Sequence, residues 1–142
     1  MSKSRIGYRK LNIYKYQLME AYSVKIGVTD KNISTPFIDL DEEGKLTIKK
    51  GYAWDGPSGP TFDTKSFMRG SLVHDALYQL LRGRHLEQEL RKFADDLMKK
   101  MCREDGMFFI RAWYTHLGVR FFGGKHAKPP QEEDTTKIIW VP

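Results

Sequence analysis

The chain has 142 residues, enough for one domain that buries a core without disulfide or metal staples. Hydrophobic residues make up 40% and charged residues 30%, a balance that excludes a largely disordered chain, and no apolar run approaches the ~20 residues of a membrane span. The single Cys102 excludes an internal disulfide framework and a multi-cysteine metal centre, and points to a reducing compartment. Residues 1–5 carry charge with no apolar stretch behind them, so no signal peptide is expected.

The first fifty residues read as β-rich. Residues 12–16 and 22–28 alternate β-branched and aromatic side chains with polar ones. Residues 37–40 and 45–49 flank Asp41-Glu42-Glu43-Gly44, a hairpin signal with glycine at the left-handed position. Residues 51–60 hold three glycines and two prolines, the mark of a stiff, turn-rich loop.

The pattern then becomes helical. Ser66 can cap a helix over residues 66–81, with Gly83 as its stop and Phe67, Met68, Leu72, Val73, Ala76, Leu77, Leu80 and Leu81 as its apolar set. A second helix is predicted over 87–101. Its stripe is Leu86, Leu90, Phe93, Ala94, Leu97, Met98 and Met101. The short connection makes the pair antiparallel, with Leu72, Leu77, Leu90, Phe93 and Leu97 buried between them. A third helix is predicted over 107–122, apolar on most sides. Its aromatic run, Phe108, Phe109, Trp113, Tyr114, Phe121 and Phe122, reads first as core; interleaved with Arg111 and Arg120, it reads otherwise as an interfacial membrane surface. The last residues form an extended tail, with Ile138-Ile139-Trp140 as a docking point. The expected fold is therefore α+β: an N-terminal antiparallel β-hairpin region followed by three helices, in a single domain. Within it, 1–50 is the β-rich part, 51–127 the loop plus helical core and 128–142 the tail.

Net charge is +6, and residues 111–128 hold basic side chains but no acidic ones. A solubilising surface is the default reading of such a stretch; an anionic membrane is the sharper one. Nucleic acid is not expected, because no groove-reading motif accompanies the charge. His85, His116 and His126 have no mutual metal-ligand spacing, and no nucleophile-elbow serine or phosphate-binding loop is present.

The chemistry-bearing stretch is 54–101. Helical spacing puts Ser71, His74 and Tyr78 on one face, with Asp75 about 100° away. A neutral imidazole can take a proton from water, and a carboxylate beside it can hold a hard cation whose shell loop carbonyls complete. The second helix offers Asp95 and Asp96, which lie on opposite edges, equally far from the centre of its stripe. His74 with Tyr78 also fits a structural polar pair, and Asp95 also fits a solvated i,i+4 pair with Lys99.

This stretch resembles the loop-and-helix-pair core of the secreted phospholipase A₂ superfamily, above all its disulfide-free form on parvovirus capsids. The likeness rests on Gly56-Pro57-Ser58-Gly59, then His74-Asp75-Ala76-Leu77-Tyr78, then Ala94-Asp95. The Gly56-to-His74 interval also matches the spacing between a calcium-loop glycine and the histidine in that superfamily. The resemblance implies that His74 is the general base, that Tyr78 and Asp95 orient it, and that Asp75 binds calcium. Trp54, Gly56 and Ser58 would add backbone carbonyls to the ion. It selects Asp95 over Asp96 only because Ala-Asp is the matching pair. Two loop prolines, the missing cysteines and the β-rich front half depart from that pattern. A second likeness, from Trp54-Asp55-Gly56-Pro57-Ser58-Gly59-Pro60 to Arg111-Ala112-Trp113, is to a small uncharacterised family of phage and prophage proteins. Together these imply a phage-type protein in the host cytoplasm or the virion. Its expected function is calcium-dependent phospholipid ester hydrolysis at a membrane surface. The alternative is a non-catalytic virion component or a binder of phage or host proteins on the same scaffold.

Overall fold

The computed structural model describes residues 6, 8–10, 16–54 and 65–128. The expected strand at 12–15, the loop residues 56–60 and the tail from 129 onward lie outside them.

Two small antiparallel sheets form the N-terminal part. The first joins β1 (Tyr8–Lys10), β2 (Tyr16–Leu18) and β7 (Ala53–Trp54) in that spatial order. The second runs β3 (Tyr22–Lys25), β6 (Lys45–Ile48), β5 (Ile38–Leu40) and β4 (Ile33–Ser34). The β5–β6 hairpin follows the expected turn. Gly44 takes φ +86°, and the Asp41 carboxylate accepts from the backbone N–H of Glu43 and Lys45 at 3.0 and 2.9 Å. Several strands differ from expectation: β1 and β4 lie where no strand was expected, and β2 begins at the last residue of the expected 12–16 strand. β3 stops at Lys25, two residues before Gly27 turns the chain at φ +84°. Ala53 and Trp54, expected inside a loop, pair with β2, because the Trp54 ring packs on Tyr16 with centroids 5.5 Å apart.

Three long helices follow: α1 (Lys65–Arg82), α2 (Arg91–Glu104), entered through a 3₁₀ turn at Gln88–Leu90, and α3 (Phe109–Phe122). A single short turn, α4 (Gly124–Ala127), completes the described part. The α+β class and the three-helix order match the sequence reading. One core unites sheets and helices: Leu18, Leu40, Leu46, Ile48 and Trp54 from the strands meet Leu72, Val73, Ala76 and Leu77 of α1. Burial of such side chains stabilises by about 1.5–3 kcal/mol each. Gly70 lets α1 and α2 touch, since a Cβ there would sit 2.8 Å from Cys102 Sγ and 3.1 Å from the Met98 carbonyl oxygen. Arg69 clasps the layers: its guanidinium reaches Asp105 at 3.0 Å, Glu104 at 2.9 Å and the Tyr22 hydroxyl at 3.0 Å.

Three expectations need correction. Ser66 lies inside α1 and does not cap it; the helix does stop before Gly83 as expected, with Arg84 taking the left-handed turn at φ +64°. Leu90, Phe93 and Leu97 are only half-buried, because α2 lies between α1 and α3. Its fully covered line is therefore Ala94, Asp95, Met98, Met101 and Cys102. Third, the aromatic run is not core: Phe108, Phe109, Trp113, Tyr114 and Phe121 are exposed. Among the described residues, no helix is long and apolar enough to cross a membrane.

Candidate active site

Three helices converge on one carboxylate. The α1 spacing of four residues stacks His74 on Tyr78, with ring centroids 4.1 Å apart. From α2, Asp95 enters this pair fully buried. Its Oδ1 accepts from His74 Nε2 at 2.7 Å and from the Tyr78 hydroxyl at 2.6 Å. Its Oδ2 accepts from Arg120 Nη1 of α3 at 2.8 Å. Arg91 closes the ring, donating to the Tyr78 oxygen at 3.1 Å and to the backbone carbonyls of Val119 and Arg120 at 2.8 and 2.7 Å. Gly123 leaves room for this, since a Cβ there would sit 2.8 Å from the Tyr78 hydroxyl oxygen.

The electrostatics follow. Burial opposes ionisation of Asp95, but the hydrogen bonds from His74, Tyr78 and Arg120 outweigh it and hold the carboxyl below its ordinary range. Burial, then the Asp95 carboxylate, push the Tyr78 phenol up, so it stays a donor. An ionised carboxylate only accepts. His74 Nε2 therefore carries a ring proton, and in the neutral imidazole Nδ1 is the nitrogen left with a lone pair. Nδ1 has no hydrogen-bond partner among the described residues, and the side chain is 14% exposed.

His74, Tyr78 and Asp95 are thus brought together. The pairing of Asp95 with Lys99 is overturned by its complete burial. Asp96 is exposed instead, held by Lys92 at 2.7 Å and His116 at 2.6 Å. Ser71 turns away from the dyad, accepting from the Trp54 indole at 3.2 Å and donating to the Met68 carbonyl at 2.9 Å. Asp75 is half-buried, and its Oδ2 accepts the Tyr52 hydroxyl at 2.5 Å.

The expected calcium donors fare differently. Gly56 and Ser58 lie outside the described residues. Asp75 and Trp54 alone do not make the six to eight oxygens that calcium takes. No group of three or more His, Cys, Asp or Glu side chains suited to a metal occurs among the described residues. A cavity of about 300 Å³ lies elsewhere, lined by Leu81, Arg84, His85, Leu86, Glu87 and Gln88. Cys102 is buried and its thiol is pushed up to about 12, mainly by burial and then by Asp105, so it is no nucleophile.

Sequence reasoning missed Arg120, Arg91 and Tyr52. Arg120 carried a faint signal: it has no acidic residue within a helical turn, so its partner had to come through space. No family model, no curated protein and no solved structure matches the chain.

Proposed function

We infer that this protein is a hydrolase whose general base is His74, acting on phospholipid esters. The supporting observation is the 2.7 Å bond from His74 Nε2 to a buried, ionised Asp95, which leaves Nδ1 as a directed base. In this reading Nδ1 takes a proton from water as the oxygen attacks the ester carbonyl carbon. The tetrahedral intermediate collapses with cleavage of the acyl C–O bond. The imidazolium returns the proton to the departing alkoxide, giving a fatty acid and a lysophospholipid. Tyr78, Arg91 and Arg120 are positioning residues that fix Asp95. The ester class comes from the phospholipase likeness of His74-Asp75-Ala76-Leu77-Tyr78 and Ala94-Asp95, and a phage origin from the second likeness.

The test is fatty-acid release from phospholipid vesicles, with calcium and then with chelator, by wild type and His74→Gln. Glutamine keeps size and hydrogen bonding but takes no proton near neutral pH. Release that His74→Gln abolishes supports the reading, and loss under chelator makes Asp75 the first residue to test as an ion ligand. Wild type that releases nothing from neutral or anionic lipid in either condition refutes it. One observation favours a second reading, a non-catalytic phage binder or virion protein: both Asp95 oxygens are satisfied by side chains of the two neighbouring helices, as in a structural polar core. In that case His74→Gln lowers the melting temperature and changes nothing else.

A further inference from the structure

Helix α3 lies outside the stretch that resembles the phospholipases, and its surface carries a separate signal. It packs inward through Ala112, Thr115 and Val119. At about 100° per residue, Phe109, Ile110, Trp113, Tyr114, Leu117 and Phe121 share one arc of about 140° on the far side. Leu117 is half-buried and the other five are exposed, Trp113 at 55% and Phe121 at 75%. Isolated exposed apolar residues are ordinary, but a contiguous aromatic face on one helix marks a contact surface.

Charge selects the occupant. Arg111 borders the arc and the exposed Lys125 and Lys128 follow its C-terminal end, while Arg120 is already paired with Asp95; residues 111–128 include no Asp or Glu. A second copy of the chain would bring two basic strips together on a molecule of net charge +6. A nucleic acid would meet the cations but leave Ile110 and Leu117 without apolar cover. A bilayer surface takes both: aliphatic and phenyl groups enter the acyl boundary, Trp and Tyr rings sit at the headgroups, and the cations meet anionic phosphates. We propose that α3 is a membrane-docking helix that lies in the plane of an anionic phospholipid surface. As a route to substrate this deepens, and rests on, the esterase reading; as binding it does not.

The experiment is co-flotation of the full chain with vesicles of phosphatidylcholine, alone or mixed with phosphatidylglycerol. Wild type is expected on the mixed vesicles, less so in high salt, as screening weakens the cation–headgroup attraction. Phe109→Ser/Trp113→Ser should bind roughly tenfold more weakly or worse, with its melting temperature unchanged because both side chains are exposed. Lys125→Gln/Lys128→Gln should weaken binding to the mixed vesicles only. His74→Gln should float like wild type, which separates docking from catalysis. Hydrolysis of a water-soluble short-chain phospholipid without vesicle binding would sink docking alone. Vesicle binding without any ester cleavage would sink the esterase reading alone. Docking is overturned if wild type ignores both vesicles, or if the double serine variant floats equally well. Dimerisation through this face, or retention of a single-stranded oligonucleotide, with vesicles left unbound, overturns it too.

Discussion

Replacing Asp95 by Asn probes the centre of the network. Three hydrogen bonds reach the carboxylate, two of them on Oδ1 and one on Oδ2. Bonds to a charged group contribute about 1.5–3 kcal/mol each, though not additively. Asparagine keeps one carbonyl oxygen for His74 and Tyr78, but turns an NH₂ toward the Arg120 donor. Arg120 can escape, since its side chain is 31% exposed, while the Tyr78 hydroxyl is buried. The balance predicts a loss of about 2–4 kcal/mol, short of the 3–5 for stripping a fully buried pair. For a chain of this length that lowers Tm by about 6–16 °C. Urea and thermal unfolding followed by circular dichroism measure it. The effect also has a pH signature. The folded-state carboxyl lies below its ordinary value of 3.8, so its stabilisation is complete above that pH and fades as pH falls through the folded-state value. Wild type and variant should therefore converge in strongly acid solution. Asp96→Asn, at an exposed pair, should stay within about 0.5 kcal/mol of wild type. A loss below about 1 kcal/mol for Asp95→Asn, or an equal loss for Asp96→Asn, would refute the reasoning.

Gly70→Ala should destabilise by about 1–3 kcal/mol despite alanine's helix propensity, because its methyl meets Cys102 Sγ and a backbone carbonyl; a higher Tm would show that the helices part freely. Arg84→Gly should raise stability by up to about 1 kcal/mol by relieving a left-handed arginine, and a clear loss in urea unfolding would contradict that. Cys102 should resist an aromatic disulfide reagent at mildly alkaline pH until the protein unfolds, while prompt labelling of native protein would deny its burial.

The hairpin at Asp41–Gly44 and the helix order were legible because turn chemistry and 3.6-residue periodicity are local. The meeting of His74, Tyr78 and Asp95 was legible from the Ala94-Asp95 likeness, and stripe counting argued against it. A stripe counts apolar residues, yet α2 is covered from two sides, so a carboxylate off the stripe became its most buried polar group. The strand at Ala53–Trp54 was hidden by the glycines and prolines around it and is held by its pairing with β2, the Tyr16 ring and the Trp54–Ser71 hydrogen bond. Composition could not tell a buried aromatic helix from an exposed one in α3; only the packing through Ala112 and Thr115 shows which face is left over.

The site stands on which nitrogen of His74 holds the proton. With histidine labelled by nitrogen-15 and the His74 signals assigned by their loss in His74→Gln, nuclear magnetic resonance reads the tautomer directly. Near neutral pH the neutral ring should carry its proton on Nε2, facing Asp95, with Nδ1 bare, and Asp95→Asn should weaken that preference. A ring protonated on Nδ1 in the wild type would contradict the general-base assignment, whatever the vesicle assays return.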